Sequence, residues 1–319
     1  MQPTKVRSMV EAGVMSAVAI IFAMISVYVP LLGSLINTIW PVPIILLGMR
    51  HGYKWSIMAV AVSAIMIAIL IEPVLAVKTV VGFSLVGIAL GHALRSGFGP
   101  AKTLLFGALA ALVSSVAVLG LMMLLMGINP LNLEMQMMND ASKQVLEVYR
   151  GYGMAEEELA RMDQMLQMVF SIMRVALPAL FILSAVISSY INLACARLVL
   201  RRLGQPIAGF GPFKNWAVPS YVLWTAVASG AMIYLGRWQQ VELLSSLGIN
   251  ILMVTLIGIF VHGLAVFYFL ADKYNLSRLI RSIILLMIFI NTIFVLIVLY
   301  AGAFDMAMDY RKLRTPRHS

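Results

Sequence analysis

The chain is poor in charge, has a single cysteine and lacks the short motifs that mark common enzymes. Only 11% of its 319 residues are charged, against about 25% in a soluble domain. Because Cys195 is alone, disulfides within the chain and cysteine-based metal clusters are excluded. No phosphate loop, H-E-x-x-H or G-x-S-x-G segment occurs. We therefore expect a protein without enzymatic activity, cofactor or metal.

Hydrophobic residues are what the chain has in excess. They make up 62% of it, and the mean hydropathy is +0.97. Long apolar runs fall at residues 12–32, 36–49, 55–71, 74–94, 103–127, 169–200, 217–236, 247–271 and 281–304. The sequence predicts an all-α, polytopic membrane helix bundle of about eight or nine transmembrane segments, since about 20 residues make one crossing. The second run is short and opens with two prolines, which favours a broken or re-entrant helix.

Lysine and arginine gather on one side of such a bundle. If all nine runs cross, the following share the N-terminal side: Lys5, Arg7, Arg50, Lys54, Arg95, Lys102, Arg197, Arg201, Arg202, Lys214, Lys273, Arg278 and Arg281. The positive-inside rule then places the N-terminus in the cytoplasm. The formal charge of +10 is read as orientation and attraction to lipid headgroups, with no nucleic-acid partner. The same count puts the basic tail Arg311, Lys312, Arg314 and Arg317 outside, so either one late run fails to cross or the tail is an exception.

Residues 129–167 form a polar, acidic insertion that we expect on the extracytoplasmic side. Seven of the thirteen acidic residues lie here: Glu134, Asp140, Glu147, Glu156, Glu157, Glu158 and Asp163. Residues 151–153 divide the insertion into two helical pieces, and the apolar spacing from Leu159 to Val169 predicts an amphipathic face. The insertion either caps a cavity or lies along the bilayer surface.

The stretch 201–219 is rich in glycine and proline and is the longest cytoplasmic connection. It divides the chain into a bundle over 1–203 and C-terminal transmembrane helices with a short basic tail over 204–319. Within the first helix, Ala12, Ser16, Ala19 and Ala23 recur at helical spacing. Such small residues let helices approach closely, either within this chain or against a partner helix.

Polar residues at membrane depth are the candidate site residues. Glu72 and Arg174 fall on the same expected side and either pair, contact a solute or extend to the interface. Asn37 precedes the proline-led run, and His262 lies inside an apolar helix. His262 either takes part in proton coupling or packs as a satisfied neutral imidazole. The further amides Asn192, Asn250 and Asn291 predict hydrogen bonds between helices.

Two segments resemble the YybS-like family of bacterial membrane proteins. The first is Pro41-Val-Pro-Ile-Ile-Leu-Leu-Gly-Met-Arg-His-Gly52, and the second is Gly302-Ala-Phe-Asp-Met-Ala-Met-Asp-Tyr-Arg-Lys312. The motif positions carried over are Pro41, Pro43, Gly48, Arg50, Gly52, Asp305, Asp309 and Arg311. The resemblance implies a multi-pass protein of the bacterial cell membrane.

The N-terminal part also resembles, more distantly, the S components of energy-coupling-factor vitamin transporters. Those are six-helix bundles that dock a transmembrane coupling subunit. The resemblance implies an S-component-like part within 1–203, with Ala12, Ser16, Ala19 and Ala23 at a partner interface and a solute pocket beneath 129–167. Additional C-terminal helices depart from that pattern, and no vitamin-binding motif matches, so no ligand is carried over.

The sequence therefore favours an integral membrane protein that binds or transports a small solute with a partner that supplies energy. A non-transporting scaffold for an envelope or cell-division assembly is the alternative. A lipid-handling protein is the third candidate. Polar residues around a common cavity would favour transport, whereas tight pairs in a dry bundle would favour the scaffold.

Overall fold

The computed structural model describes residues 5–127 and 129–313, and within these ranges the chain is helical with no strand. Arg314 and Arg317 of the basic tail lie outside the described residues. The α-helices are α1 (Lys5–Tyr28), α2 (Pro30–Thr38), α3 (Val42–His51), α4 (Tyr53–Leu70), α5 (Pro73–Thr79), α6 (Leu85–Arg95), α7 (Pro100–Met126), α8 (Pro130–Gly151), α9 (Glu156–Arg202), α10 (Tyr221–Trp238), α11 (Glu242–Lys273), α12 (Arg278–Ile290) and α13 (Thr292–Met308). A π-helical turn, Val80–Ser84, joins α5 to α6.

Local sequence signals set many of these boundaries. Proline occupies an early helical position in α2, α5, α7 and α8, where its missing N–H has no helical partner to lose. The side chains of Asn129, Ser277 and Asn291 accept backbone N–H bonds as N-caps of α8, α12 and α13. Gly127 ends α7 in the left-handed region.

Within the described residues, seven helical segments are long and apolar enough to cross a membrane. They are Lys5–Tyr28, Leu31–His51, Tyr53–Leu70, Pro73–Arg95, Pro100–Leu125, Glu156–Arg202 and Glu242–Lys273. The number reaches eight if the bent pair α12–α13 counts as one crossing. The predicted polytopic helical bundle is thus confirmed.

Two runs behave differently from a straight helix. The expected break in run 36–49 is confirmed, since α2 ends at Thr38 and α3 begins at Val42. Run 281–304 is not one straight helix, because the helix bends by 105° at Asn291, and the bent pair is either a broken span or a re-entrant loop. Asn291 leaves the helical conformation and its Oδ1 accepts the N–H of Ile293 at 2.9 Å. It therefore starts a new helix instead of continuing the old one.

The described chain divides into two compact units. Unit 1 runs up to Phe170 and again from Phe181 to Gly209, and unit 2 comprises Ser171–Leu180 and the chain from Phe210 onward. In unit 1, α3 is the most buried helix, with every residue from Val42 to Gly48 buried. The predicted division of the membrane domain into the parts 1–203 and 204–319 stays a prediction.

Unit 1 holds α3 against α6 through a close approach of two glycines. A Cβ placed on Gly48 would lie 3.2 Å from the Cα of Gly91, so a larger side chain would separate the helices. On the other flank, the hydroxyls of Ser16 and Ser63 bridge α1 and α4 through backbone carbonyls. α3 itself packs against α1 and α4 as well as α6.

Unit 2 is organised around α11. α10 packs along it as a hairpin in which Gly236 and Gly248 allow close contact. α13 crosses α11 where Gly263 meets Gly302 and Val298. Within α9, Pro178 interrupts the helix ladder, and the Asn250 amide of α11 inserts there by accepting from the Ala179 N–H and donating to the Val175 carbonyl, both at 2.8 Å.

The insertion 129–167 is helical, as its two-piece pattern predicts. α8 covers the first piece, a turn at residues 152–155 follows, and Glu156 begins the second. That second piece continues without interruption into the sixth apolar run, so α9 is one helix of 47 residues. Its length of about 70 Å exceeds the roughly 30 Å of hydrocarbon in a bilayer. One part of α9 must therefore extend beyond the membrane.

Candidate functional site

The most irregular buried backbone of unit 1 lies at the break between α2 and α3. Three residues, 39–41, separate the helices. Trp40 is fully buried there, and its Nε1 donates to the Ala19 carbonyl of α1 at 2.9 Å. Proline at 41 and 43 removes two N–H donors from the start of α3. The helical hydrogen bonding is therefore interrupted at residues 39–41, although Leu31–His51 still forms one candidate span.

A second irregular segment, the π-helical turn Val80–Ser84, lies against this break. The rings of Trp40 and Phe83 have centroids 6.3 Å apart. A Cβ on Gly87, one turn further, would lie 3.2 Å from the Pro41 carbonyl oxygen. Single π-helical turns inside α-helices occur frequently at functional sites. Two neighbouring spans are therefore irregular at facing positions, which we call the helix-break site.

Asn192 of α9 supplies the polar side chain of the helix-break site. It is fully buried, and its Nδ2 donates to the Thr38 carbonyl at 3.0 Å and to the Ser188 carbonyl at 2.9 Å. Its Oδ1 has no hydrogen-bond partner within the described residues, and neither has the buried Oγ of Ser84. A buried polar atom without a partner carries a desolvation cost of about 1–3 kcal/mol. Both oxygens can accept a hydrogen bond from a ligand.

The surroundings of the helix-break site carry no formal charge. Residues 30–49, 79–91 and 177–196 contain no Asp, Glu, Lys, Arg or His. Charged solutes need a counter-charge or a metal at such depth. The chemistry of the site therefore suits a neutral molecule with an N–H or O–H donor.

Unit 2 contains a very different polar cluster, formed by His262, Asp305 and Arg311. All three side chains are at most 4% exposed. Asp305 Oδ2 lies 2.8 Å from His262 Nε2 and 2.9 Å from Arg311 Nε, while its Oδ1 accepts the Arg311 N–H at 3.0 Å. The Asp305 carboxylate thus binds the His262 imidazole and the Arg311 guanidinium at the same time. We call this group the ionic cluster.

The backbone around the ionic cluster fixes the state of His262. Its Nδ1 lies 3.0 Å from the Val218 N–H, which can only donate. Nδ1 is therefore the acceptor, which assigns the proton to Nε2 facing Asp305, and Arg311 Nη2 also lies 3.0 Å from Nε2. Arg311 Nη1 also donates to the Lys214 carbonyl at 2.7 Å. The ionic cluster joins α11, α13, the C-terminal segment and the segment before α10.

Other predicted site residues are scattered. Glu72 is exposed at the start of α5 in unit 1, and Arg174 is exposed on α9 in unit 2, so their pairing remains a prediction. Asn37 is half-buried next to Thr38, which places two sequence-predicted amides, Asn37 and Asn192, at the helix-break site. His262 is packed and satisfied, in agreement with the second alternative given for it.

The small-residue face of α1 is turned into unit 1. Ala12, Ser16, Ala19 and Ala23 are between 0 and 7% exposed. The Ala19 carbonyl accepts from Trp40, and Ser16 contacts α4. This chain's own helices cover the face, which corrects its assignment to a partner interface and agrees with the packing alternative.

The motif positions of the two family segments lie around the helix-break site and in the ionic cluster. Pro41 and Pro43 open α3, and Gly48 makes the approach to Gly91 described above. Asp305 and Arg311 are members of the ionic cluster. Three further motif positions have local roles: Arg50 pairs with Glu11 at 2.8 Å, Gly52 turns with φ of +98°, and Asp309 ends α13 with φ of +48°.

The sequence analysis missed one polar group near the N-terminus. His51 Nε2 lies 2.7 Å from Glu11 Oε2, and its Nδ1 lies 2.9 Å from Ser8 Oγ. A signal existed, because Glu11 is the single acidic residue among residues 1–71. A lone carboxylate in a basic, apolar region needs a nearby cation or donor. Ser84 carried no comparable signal.

The fold and its sites define a polytopic helical membrane protein with irregular spans. The chain belongs to the family described as Predicted membrane protein (DUF2232), whose profile matches residues 17–306. It is 24% identical over 310 residues to the uncharacterized protein YybS of Bacillus subtilis (strain 168), a match that covers 96% of this chain and 97% of that relative. No solved structure matches the chain. The resemblance to YybS-like proteins is confirmed, and the one to S components stays a prediction.

Proposed function

We propose that the protein binds a small, neutral, polar solute at the helix-break site and transports it across the membrane. The observation that carries the proposal is the free acceptor of Asn192, whose Oδ1 is fully buried and has no partner in the described part of the chain. Broken helices at membrane depth are tolerated where they line a cavity or are covered by protein, and they recur at transporter binding sites.

Thermal stability provides the test. The wild-type protein, purified in mild detergent, is screened against vitamins, nucleobases, sugars and amino acids. A ligand that binds the folded state alone raises the melting temperature by mass action. We expect a dose-dependent rise that disappears in Asn192→Leu, which keeps a similar volume and removes the acceptor.

Asn250→Leu is the matched control, because Asn250 is also a membrane-depth amide but uses both amide atoms at Pro178. This variant should melt at a lower temperature and keep the ligand-induced rise. A rise that survives in Asn192→Leu would place the ligand elsewhere. The absence of a rise across all four ligand classes would contradict solute binding.

The scaffold is the second candidate, and the ionic cluster favours it. Its charges are paired in a buried network that joins four chain segments, and the small-residue face of α1 is covered by the chain itself. Both features give a rigid frame. Under this alternative, partner proteins co-purify with the wild type and no solute shifts its melting temperature. Co-purification would also identify the energy-supplying partner of the transport proposal. Transport by the purified chain alone would show that no such partner is needed.

We further propose that both chain ends lie on the cytoplasmic side of a bacterial cell membrane. Arg281, early in α12, donates to the carbonyls of Ala271 and Leu276. Tyr310, just after α13, accepts from Lys273 Nζ at 3.0 Å. Both ends of the bent pair therefore lie beside the C-terminal end of α11.

That arrangement makes α12–α13 re-entrant. The helices have 13 and 17 residues, about 20 and 26 Å, each short of a bilayer's roughly 30 Å. α10 is not among the seven candidate spans, but its 18 residues, counted as a further crossing, bring the total to eight. An even number returns Arg311 and Lys312 to the N-terminal side, which removes the conflict with the positive-inside rule.

Single cysteines test this topology in a Cys195→Ser background. Arg278→Cys and Leu313→Cys should react with a membrane-impermeant maleimide from one side of the membrane. Asn132→Cys, in the acidic insertion, should react from the other side. Labelling of Leu313→Cys from the side of Asn132→Cys would show that α12–α13 crosses.

A further inference from the structure

A basic pocket of unit 1 opens where α3 turns into α4. It has a volume of about 420 Å³, and Lys54, His92 and Arg95 line it beside Tyr53 and Trp55. These residues come from the start of α4 and the end of α6. The pocket is separate from the helix-break site, because α3 spans the distance between them. Its chemistry is also opposite, with cationic side chains instead of neutral acceptors.

Arg95 is held in place by the end of α3. Its Nη1 donates to the Arg50 carbonyl at 2.9 Å. A Cβ on Gly52 would lie 3.6 Å from both Nε and Cζ of Arg95, so the guanidinium rests against a bare turn. Nε and Nη2 of Arg95 make no hydrogen bond within residues 5–127 and 129–313. Those N–H groups form the planar fork that fits a phosphate or carboxylate.

The charge balance leaves the pocket positive. Lys54 is exposed and makes no ion pair in the described part of the chain. Glu11 is the one acidic residue before Glu72, and it already binds Arg50 at 2.8 Å and His51 at 2.7 Å. No Asp or Glu occurs from 73 to 133, which covers α6 and α7. No carboxylate on these elements therefore remains to neutralise Lys54 and Arg95.

We propose that this pocket binds the phosphate of an anionic lipid headgroup. Tyr53 and Trp55 give the pocket the amphipathic aromatic side chains that sit at the membrane–water boundary. Basic pockets between transmembrane helices bind anionic headgroups through the same combination of charge and donors. The shared chemistry is a phosphate group held by the Arg95 fork and the Lys54 ammonium. Its source is either a membrane lipid or a soluble phosphate, which one experiment separates.

Native mass spectrometry of the detergent-purified protein measures this binding. The probes are phosphatidylglycerol, phosphatidylcholine and glycerol phosphate. Phosphatidylglycerol should bind more tightly than phosphatidylcholine. The double variant Lys54→Gln with Arg95→Gln should bind it about thirtyfold more weakly, since each basic residue near a membrane surface contributes about a fivefold step. The control, Lys102→Gln with Arg202→Gln, removes two exposed charges of unit 1 outside the pocket and should keep wild-type affinity.

Changing Arg95 also removes its hydrogen bond to the end of α3. Lys54→Gln alone is therefore the variant that removes a charge of the pocket and no such contact. It should weaken phosphatidylglycerol binding about fivefold at an unchanged melting temperature. Glycerol phosphate binding with the same dependence on Lys54 would keep the phosphate site and assign it to a soluble ligand. Equal binding of phosphatidylglycerol by the wild type and both pocket variants would overturn the proposal.

Discussion

The two units handle buried polar groups in opposite ways. In unit 2, the side chains of the ionic cluster bond to one another. Asn250 bonds to the backbone groups freed by Pro178. In unit 1, Asn192 uses its donor and keeps a buried acceptor, next to two irregular helical segments. A closed network stabilises a geometry, whereas an open acceptor can bind a ligand. This contrast is what supports the proposed solute site in unit 1.

The largest expected effect follows from removing the centre of the ionic cluster. Asp305→Ala leaves Arg311 and His262 buried without their carboxylate, which should destabilise the protein by about 3–5 kcal/mol. Thermal melting in detergent measures the loss. Asp272→Ala is the control, because Asp272 also binds two cations, Lys214 and Arg281, but at the surface. Similar losses for both variants would show that the ionic cluster has no special role.

The glycine crossing of α11 and α13 should give the next largest effect. A Cβ on Gly263 would overlap the Val298 carbonyl oxygen, so Gly263→Ala must move a helix backbone. We expect a loss of about 1–3 kcal/mol. Gly230→Ala in α10 meets nothing within 4 Å and should be neutral or slightly stabilising. Equal melting temperatures for the two variants would contradict the close crossing.

The two amides give a smaller and more direct contrast. Asn250→Leu frees the Ala179 N–H and the Val175 carbonyl, whereas Asn192→Leu removes donors and an acceptor that has no partner. Asn250→Leu should therefore cost about 1 kcal/mol more stability. Melting in the absence of any solute measures the difference. A larger loss for Asn192→Leu would mean that its Oδ1 is satisfied within the folded chain.

The smallest effect is expected in the acidic insertion. Arg150 binds Glu156 at 2.8 Å across the turn between α8 and α9, with both side chains exposed. Exposed pairs contribute little because water and salt screen them. Arg150→Gln should leave the melting temperature unchanged within measurement. A clear drop would indicate that the hairpin of α8 and α9 is held by this pair.

The sequence predicts the class of fold well because hydrophobic length decides it. It also predicts the break before α3, where two prolines remove donors. The bend at Asn291 could not be predicted, since no glycine or proline marks it and a single amide is compatible with a continuous helix. Its capping role depends on the backbone that α12 and α13 adopt.

The sequence predicted individual residues of the candidate sites but not which of them lie together in the fold. His262, Asp305 and Arg311 were each singled out, yet 43 positions separate His262 from Asp305. Asn192 meets Thr38 across 154 positions. Periodicity within one helix cannot give such pairings, because they depend on which helices become neighbours. The buried face of α1 shows the same limit, since small residues serve internal and external packing alike.

Solvent access at the open and closed positions tests the central claim most directly. Ser84→Cys and Ser229→Cys are compared in a Cys195→Ser background; both serines are buried, and Ser229 Oγ donates to the Ala226 carbonyl at 2.7 Å whereas Ser84 Oγ is without a partner among the described residues. A small hydrophilic thiol reagent should modify Ser84→Cys in unit 1 and leave Ser229→Cys in unit 2 unmodified. Equal protection of both cysteines would show that the helix-break site is as dry and closed as unit 2, and would contradict a solute site there.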